Sequence, residues 1–428
     1  MKLLADRGVL SSLASALTYI GLGVAFAKVL ALLSFFVAVS YLSSEQIGIY
    51  SYTLGAFGLL LCYQAGSVGQ LVIQRAVFKR ESLEPYLSYA SISNIVMVGI
   101  AGAYLAFESP TTASVILIAL AMMLNGLVSA GQTFHRAKLV SDLNFRAAAL
   151  MDGGLAAIQC VSFLIALFIL RDERAYAFSF FGLFVGNLSL LLWGGYFIRP
   201  RFKQAQAIFT DARHLVASSI SGQATFFLPL FLVSRNTDVA VGAQFYFASQ
   251  LIMAFGLLAQ KPIQSSILPL TKIFQDHSDD GLNIMSSALV KVCAIFCIMS
   301  VCLGFILDDI IFYIWEEKWL AAGSVVHFAL VAMVIKVLTS AQIGLVEAEG
   351  HWRVKNYLSF FEFSAVLLAS IYAVNLASSL YELAYLIFLS HSVANLVSQV
   401  VIGKILGIRV LINLLAQISF AVLVIAYA

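Results

Sequence analysis

Charge is what this 428-residue chain has least of. Asp, Glu, Lys and Arg make up 11% of it, against about 25% in an average globular chain, while 61% is apolar. A water-soluble domain of this size cannot bury so much apolar side chain and keep a wet surface. That scarcity excludes a soluble enzyme, a disordered chain and a nucleic-acid binder. Chemical motifs are equally scarce. There is no GxxxxGK[ST] loop to cradle phosphates, no HExxH and no histidine pair at ligand spacing. The chain therefore cannot use ATP alone, and no catalytic residue, cofactor or metal is expected. The five cysteines, Cys62, Cys160, Cys293, Cys297 and Cys302, are odd in number and lack the paired spacing of a zinc or redox site. Each falls in an apolar run and reads as a small buried hydrophobe.

What is present is a succession of apolar runs long enough to cross a bilayer. Twelve spans of about 22 residues would occupy roughly 62% of the chain, close to its apolar fraction. The runs place span 1 at 13–41, span 2 at 47–73, span 3 at 85–107, span 4 at 112–134, span 5 at 145–170 and span 6 at 176–198. Span 7 is expected at 215–234, span 8 at 239–268, span 9 at 284–307, span 10 at 321–346, span 11 at 357–374 and span 12 at 380–402. A last run, 410–428, is either a thirteenth span or an interfacial helix. The segment after Lys2 and Arg7 is too long for a signal peptide and reads as a retained first span.

Loop charge sets the orientation. Loops on the amino-terminal side carry 18 Lys and Arg, and the opposite loops carry only Arg171, Arg174, Arg235 and Lys318. Basic loops stay in the cytoplasm, which places the amino terminus there. A repeat is also visible. Val39-Ser40, Gly48 and Tyr52 recur as Val233-Ser234, Gly242 and Tyr246 at a constant offset of 194, and Ser129 to Gln132 recurs as Thr339 to Gln342 at an offset of 210. The difference between the two offsets would sit in polar insertions at 275–281 and 308–318. The expected organisation is an N-lobe at 1–198 (spans 1–6), a basic cytoplasmic linker at 199–213, a C-lobe at 214–403 (spans 7–12) and an apolar carboxy-terminal segment at 404–428. Six spans per lobe make the repeats parallel, related by an axis along the membrane normal, and two such bundles enclose a cleft. The Gly-rich stretches Gly21-Leu22-Gly23 and Gly55-Ala56-Phe57-Gly58 lie within spans and mark close helix packing rather than a dinucleotide loop.

Ionisable residues deep in spans are the functional candidates, because a charge there costs several kcal/mol unless it meets water or a counter-charge. Lys28 lies 15 residues after Leu13, about 22 Å along a helix, too deep for easy snorkelling. It reads as a cavity contact for an anionic group such as a phosphate, or as an interior lysine tied to carbonyls. Lys336, mid-depth in span 10 with His327 nine residues earlier, is a candidate for substrate contact or ion coupling, with a structural hydrogen bond as the alternative. Lys261 precedes the helix-breaking Pro262 and either lines a pathway or reaches the cytoplasmic headgroups. Glu362 is the best-placed carboxylate for proton or sodium coupling, or else a partner of Lys355 or Arg353. Gln64 and Gln70 in span 2, Gln223 in span 7 and Gln250 in span 8 suit sugar hydroxyls, or act as polar glue between helices. Arg75, with Lys79 and Arg80, either attracts a lipid-linked phosphate to a cytoplasmic gate or serves topology and anionic-lipid contact.

Several stretches carry a family resemblance. Leu42-Ser43-Ser44-Glu45-Gln46-Ile47-Gly48-Ile49-Tyr50, Gly66 through Gln70 to Ile73-Gln74-Arg75, and Gln132 through His135-Arg136 to Leu143-Asn144-Phe145-Arg146 resemble the polysaccharide transporters of the multidrug/oligosaccharidyl-lipid/polysaccharide (MOP) superfamily, the O-antigen (Wzx-type) flippases. Val241-Gly242 to Ala248 and Pro262 to Pro269 are similar in the second half. The resemblance implies an all-α polytopic membrane protein with a V-shaped, MATE-like fold of about twelve (or thirteen) transmembrane helices. It implies a cation-lined cavity formed by spans 1, 2, 7 and 8, and alternating access. The implied cargo is an undecaprenyl-pyrophosphate-linked oligosaccharide of O-antigen, lipopolysaccharide, capsule or exopolysaccharide, carried across the bacterial inner membrane. Implied partners are a coupling ion (H+ or Na+) and the polysaccharide polymerase and chain-length machinery. Span 1 lacks the acidic residue common in the drug-exporting branch and carries Lys28 instead, which weighs against cationic drugs. A second reading is an ion-coupled small-molecule or multidrug exporter on the same scaffold. A membrane glycosyltransferase or ligase would need a larger polar domain than the short breaks between these apolar runs supply.

Overall fold

A computed structural model describes residues 2–61, 83–108, 112–141, 144–196, 200–256, 260, 281–349 and 351–407. Among them the regular structure is helical, without a strand. In chain order the helices are α1 (Lys2–Tyr41), α2 (Ser44–Leu61), α3 (Glu84–Glu108), α4 (Ala113–Val128), α5 (Ala130–Ser141), α6 (Phe145–Leu170) and α7 (Ala175–Trp193). They continue with α8 (Phe202–Asn236), α9 (Val239–Gly256), α10 (Gly281–Trp315), a 3-10 turn (Glu316–Trp319), α11 (Leu320–Ala348), α12 (Trp352–Leu376) and α13 (Leu380–Leu406). Nine of these, among the described residues, are long and apolar enough to cross a membrane, and eleven when two bent pairs each count as one span. The bent pairs fall in expected spans 4 and 9. Expected span 2 is α2, of which the described part ends at Leu61. The second part of span 2, the end of span 8 and the run 410–428 lie outside the described residues.

Local chemistry explains where helices stop. Between α1 and α2, Ser43 Oγ accepts from the Gln46 amide at 3.2 Å while Gln46 Oε1 accepts from the Ser43 amide at 2.9 Å. This reciprocal capping box closes the orphan donors of a new helix start. A break at the corresponding place recurs in the second half, where α8 ends at Asn236 and α9 starts at Val239. Helix α6 starts at Asn144, whose side chain accepts from the Ala147 amide, and ends at Arg171 in the left-handed region (φ 56°). Helix α13 starts at Ser379, which caps the Glu382 amide, and ends at Gly407 (φ 66°). Only a glycine adopts that backbone without Cβ strain.

Two polar segments continue as helix. The basic segment 199–213 is, from Phe202 onward, the first part of α8, continuous with span 7, and Arg201 docks on α3 through Glu84 (3.5 Å) and, by its amide, Ser88 Oγ (3.2 Å). The polar insertion at 308–318 is likewise helical: α10 runs through it with a 47° bend between Leu307 and Asp309 before the 3-10 turn. The cysteine reading also divides. Cys160 is buried and Cys302 is exposed, while Cys62 and the side chains of Cys293 and Cys297 lie outside the described residues.

The chain forms two compact units, Met1–Phe231 and Leu232–Ala428. Bilayer tails are as apolar as leucine, so helices in a membrane are held by close packing and by polar links rather than by hydrophobic drive. In unit 1, α1 lies against α6 where Gly23 admits the Ala149 backbone: a Cβ at Gly23 would stand 2.9 Å from Ala149 Cα. Helix α2 meets α8 the same way, Gly55 against the Phe231 backbone (2.7 Å) and Gly58 against the Phe227 ring (2.6 Å). Polar links add register: Asn187 to Asn125 (2.9 Å) joins α7 to α4, and Asn94 to Ser129 (3.3 Å) joins α3 to the α4–α5 bend. Gly21 differs from its neighbour, with open space around its hypothetical Cβ. In unit 2, α11 is the most buried of the membrane-crossing helices among the described residues, flanked by α10, α12 and α13.

Candidate functional site

The face of α1 that carries Lys28 follows from its burial pattern. Leu22, Phe26, Val29 and Leu33, spaced by four, three and four residues, form an exposed apolar stripe. Val24, Phe35, Ala38 and Val39 are buried on the opposite side. Lys28 stands four residues after Val24 and seven before Phe35, so at 3.6 residues per turn it shares their face, not the stripe's. Its side chain is half-buried. Gly21, two turns earlier on that same face, looks into open space.

A second polar position in unit 1 lies on α8. Between Val216 and Ser234 the exposed positions are Gly222 and Gln223, and a Cβ on Gly222 would meet nothing within 4 Å. A surface patch facing lipid is expected to be apolar, yet this one is a glycine and a glutamine. Gln250 on α9, in unit 2, is half-buried. Gln64, Gln70, Arg75 and Lys261 lie outside the described residues.

Unit 2 holds a buried ionic cluster drawn from three helices. Lys336 of α11 forms an ion pair with Glu362 Oε2 of α12. The other carboxylate oxygen, Oε1, is met by His391 Nδ1 at 2.8 Å and accepts from Asn395 Nδ2 at 2.8 Å, both from α13. Asn395 Nδ2 also lies 3.2 Å from His391 Nδ1 and donates to the His391 carbonyl at 2.8 Å. One helical turn further along α13, Gln399 Nε2 donates to Thr339 Oγ1 (3.1 Å) and the Ile335 carbonyl (3.3 Å) of α11. Such a network satisfies a charge that would otherwise be prohibitive inside a membrane.

The expected ionic candidates are thus partly brought together. Lys336 and Glu362 are paired, whereas His327 stands apart. Nine residues turn a helix by about two and a half revolutions, which puts His327 on the face of α11 opposite Lys336. His327 Nδ1 lies 2.9 Å from the Gly323 carbonyl and Nε2 lies 3.2 Å from the Gly304 carbonyl of α10. Glu362 does not pair with Lys355 either, because Lys355 pairs with Glu347 across the α11–α12 turn. His391, Asn395 and Gln399 escaped the sequence reading. Their signal was there: an i, i+4, i+8 row of polar side chains in an apolar helix, which marks one buried, hydrogen-bonding face.

Charge outside the spans is modest. Burial depresses the Lys318 ammonium below the ordinary lysine range, and the group lies over the Trp319 ring at 5.5 Å. On the loop before α7, Asp172 raises the Arg174 guanidinium by hydrogen bonding and charge.

No protein-family model and no curated protein matches this sequence. Solved structures match over almost the whole chain. Lipid II flippase MurJ in an inward closed conformation aligns with a TM-score of 0.70 at 14% identity, over 95% of this chain and 96% of that one. A MATE in complex with MaL6 gives 0.62 at 12% identity, over 95% and 97%. An outward-facing multidrug resistance MATE family transporter of the MOP superfamily gives 0.61 at 14% identity, over 94% and 96%. At such identity the likeness defines the fold. The chain is an all-α, multi-pass membrane protein that shares the fold of these MurJ and MATE structures.

Proposed function

We propose that this protein is a flippase that moves undecaprenyl-pyrophosphate-linked oligosaccharide repeat units across the bacterial inner membrane by alternating access, with its amino terminus in the cytoplasm. The observation that carries the reading is the placement of Lys28: a cation within the first span, half-buried, on the interior face of α1 and opposite its lipid-facing stripe. A lysine so placed is suited to a pyrophosphate or an acidic sugar, and it would repel a cationic drug. Gln223, the polar spot on α8, and Gln250 would meet glycan hydroxyls. Gln64, Gln70, Arg75 and Lys261 complete the proposed substrate path, with Arg75 receiving the lipid phosphate at the cytoplasmic side. Rocking of the N-lobe (1–198) and C-lobe (214–403) would exchange access. Lys336, Glu362 and His327 belong to the unit that would couple the motion to H+ or Na+, and the polymerase and chain-length machinery would receive the product.

The MATE likeness favours one second reading, an ion-coupled small-molecule exporter. One experiment separates the two. In cells lacking the native gene, Lys28→Ala is expected to reduce surface glycan at least ten-fold while the protein accumulates normally in the membrane, with drug susceptibility unchanged between wild type and null. Full glycan export by Lys28→Ala would overturn the role of Lys28. Drug sensitivity of the null strain with intact surface glycan would select the exporter.

A further inference from the structure

The outer sides of α12 and α13 each carry an apolar stripe, and each stripe ends on a base. On α12, Tyr357, Phe360, Leu368 and Ile371 are exposed, while Leu358, Glu362 and Val366 are buried on the opposite side. Arg353 is exposed and stands four residues before Tyr357 and seven before Phe360, so it continues the outer stripe. On α13 the exposed row is Leu389, Val393, Val397 and Val400, against buried Ala394, Asn395, Ser398 and Ile402. Lys404 is exposed, follows Val400 by four residues and extends that row. An apolar face left exposed on a membrane-crossing helix meets lipid tails, which are as apolar as leucine. Both bases stand at the end of unit 2 that loop charge assigns to the cytoplasm.

The two bases also share a level. Helices α12 and α13 are antiparallel neighbours, joined through 377–379 at the opposite end and packed on one another. Leu358 of α12, Ile402 of α13 and Val346 of α11 form one apolar cluster, with Val354 and Leu406 against it. That cluster sets the first two turns of α12 beside the last two of α13. Arg353 adjoins Val354, and Lys404 lies between Ile402 and Leu406, so the charges stand within roughly one helical turn of each other along the axes. Among the described residues neither base has an ion pair or a side-chain hydrogen bond. Of the acids before α12, Glu347 is held by Lys355 and Glu349 is half-buried. In unit 1, by contrast, Arg136 and Arg201 meet Asp152 and Glu84.

We propose that Arg353 and Lys404 seat the phosphate of an anionic phospholipid of the cytoplasmic leaflet on the outer side of the α12–α13 pair. The guanidinium offers a planar fork of donors to phosphate oxygens, and the Lys404 ammonium reaches the same headgroup level along its own apolar stem. Tyr357, one turn further into the span than Arg353, sets an amphipathic ring at the membrane boundary. The acyl chains lie along the two apolar stripes. Two positive charges without a protein carboxylate favour an anionic headgroup over a zwitterionic one, whose own cation they repel. The occupant is a resident lipid and not the transported molecule. The stripes face outward, whereas the proposed cargo path follows interior faces such as that of Lys28, so the site is independent of what the protein carries.

The test titrates the full chain, purified in detergent, with phosphatidylglycerol and counts retained lipid by native mass spectrometry. Phosphatidylglycerol is expected to be held more strongly than phosphatidylcholine. Arg353→Gln combined with Lys404→Gln should weaken its binding by roughly ten- to thirty-fold, the joint effect of two bases at a charged surface. Lys404→Gln alone, at an exposed position, should weaken it by about five-fold, and Arg353→Lys, which keeps the charge, by less. Lys203→Gln combined with Arg213→Gln removes the same charge from the exposed start of α8 and should bind as wild type does. Thermal unfolding without added lipid should be the same for all of these, because neither Arg353 nor Lys404 has a partner to lose. Equal retention of the two lipids, equal weakening by both double variants, or full binding by Arg353→Gln with Lys404→Gln overturns the proposal. Displacement by excess inorganic phosphate also overturns it, by marking a free-anion site. A loss confined to undecaprenyl pyrophosphate does the same, by assigning the two bases to the cargo.

Discussion

Replacing Lys336 by methionine isolates what the buried ion pair contributes. The side chains are similar in length, so packing is largely kept and the ammonium is removed. Glu362 then keeps two donors, Asn395 Nδ2 and His391 Nδ1, but loses the charge that balances it. Breaking a buried pair by deleting one partner costs about 3–5 kcal/mol, since the surviving charge stays buried and uncompensated. For a unit of this size, Leu232–Ala428, each kcal/mol shifts the melting temperature by about 2–4 °C. The expected fall is roughly 6 °C or more, read by thermal unfolding of purified protein at pH 8. A second measurement constrains the cause. Lys336→Met combined with Glu362→Gln removes the orphan carboxylate and should recover most of the loss, giving a coupling of about 2 kcal/mol in the double-mutant cycle. Strictly additive effects of the two substitutions would refute the argument that an unpaired carboxylate is the origin of the cost.

Two other expectations rest on packing and burial in unit 1. Gly55→Val places a side chain 2.7 Å from the Phe231 backbone nitrogen, which cannot yield as a flexible side chain would. It should destabilise by about 1–3 kcal/mol through overpacking, whereas Gly21→Ala, with open space around its Cβ, should be neutral or gain up to about 1 kcal/mol in helix propensity. Thermal unfolding of the pair checks the contrast. Ser114→Ala removes the hydroxyl that donates to the buried Glu173 carboxylate at 2.6 Å, with an expected loss of about 1–3 kcal/mol. Asp172→Asn, on the same loop, loses an ion pair with an exposed guanidinium but keeps an Oδ1 to accept from the Arg174 amide, and should leave the melting temperature in place.

The helix break between α1 and α2 shows how sequence and structure divide the labour. Ser43 and Gln46 are three residues apart, and a reciprocal cap needs nothing beyond that spacing. Glycines at 23, 55 and 58 were legible as packing positions, because a missing Cβ in a span has few other uses, although Gly21 proved to face open space. Polarity marked the 199–213 and 308–318 segments but did not reveal that they are helical from Phe202 onward and through Trp315. A helix that projects beyond the bilayer is free to be polar, since water replaces lipid there.

The sequence by itself determined that this is a helical membrane protein, where most of its spans lie, which loops carry the positive charge and that Lys28, Lys336 and Glu362 stand deep within spans. These follow from local quantities: run length, residue type and spacing along one chain. Only the tertiary structure decided who meets whom. Glu362 could have turned to Lys355 on its own helix, but seven residues of rise, about 10 Å, separate them along the axis. Its partners come instead from neighbouring helices, Lys336 of α11 and His391 of α13. Helix faces a few ångströms apart impose a pairing that spacing along a single helix cannot, and so the charge that matters most in unit 2 was visible in the sequence while its chemistry was not.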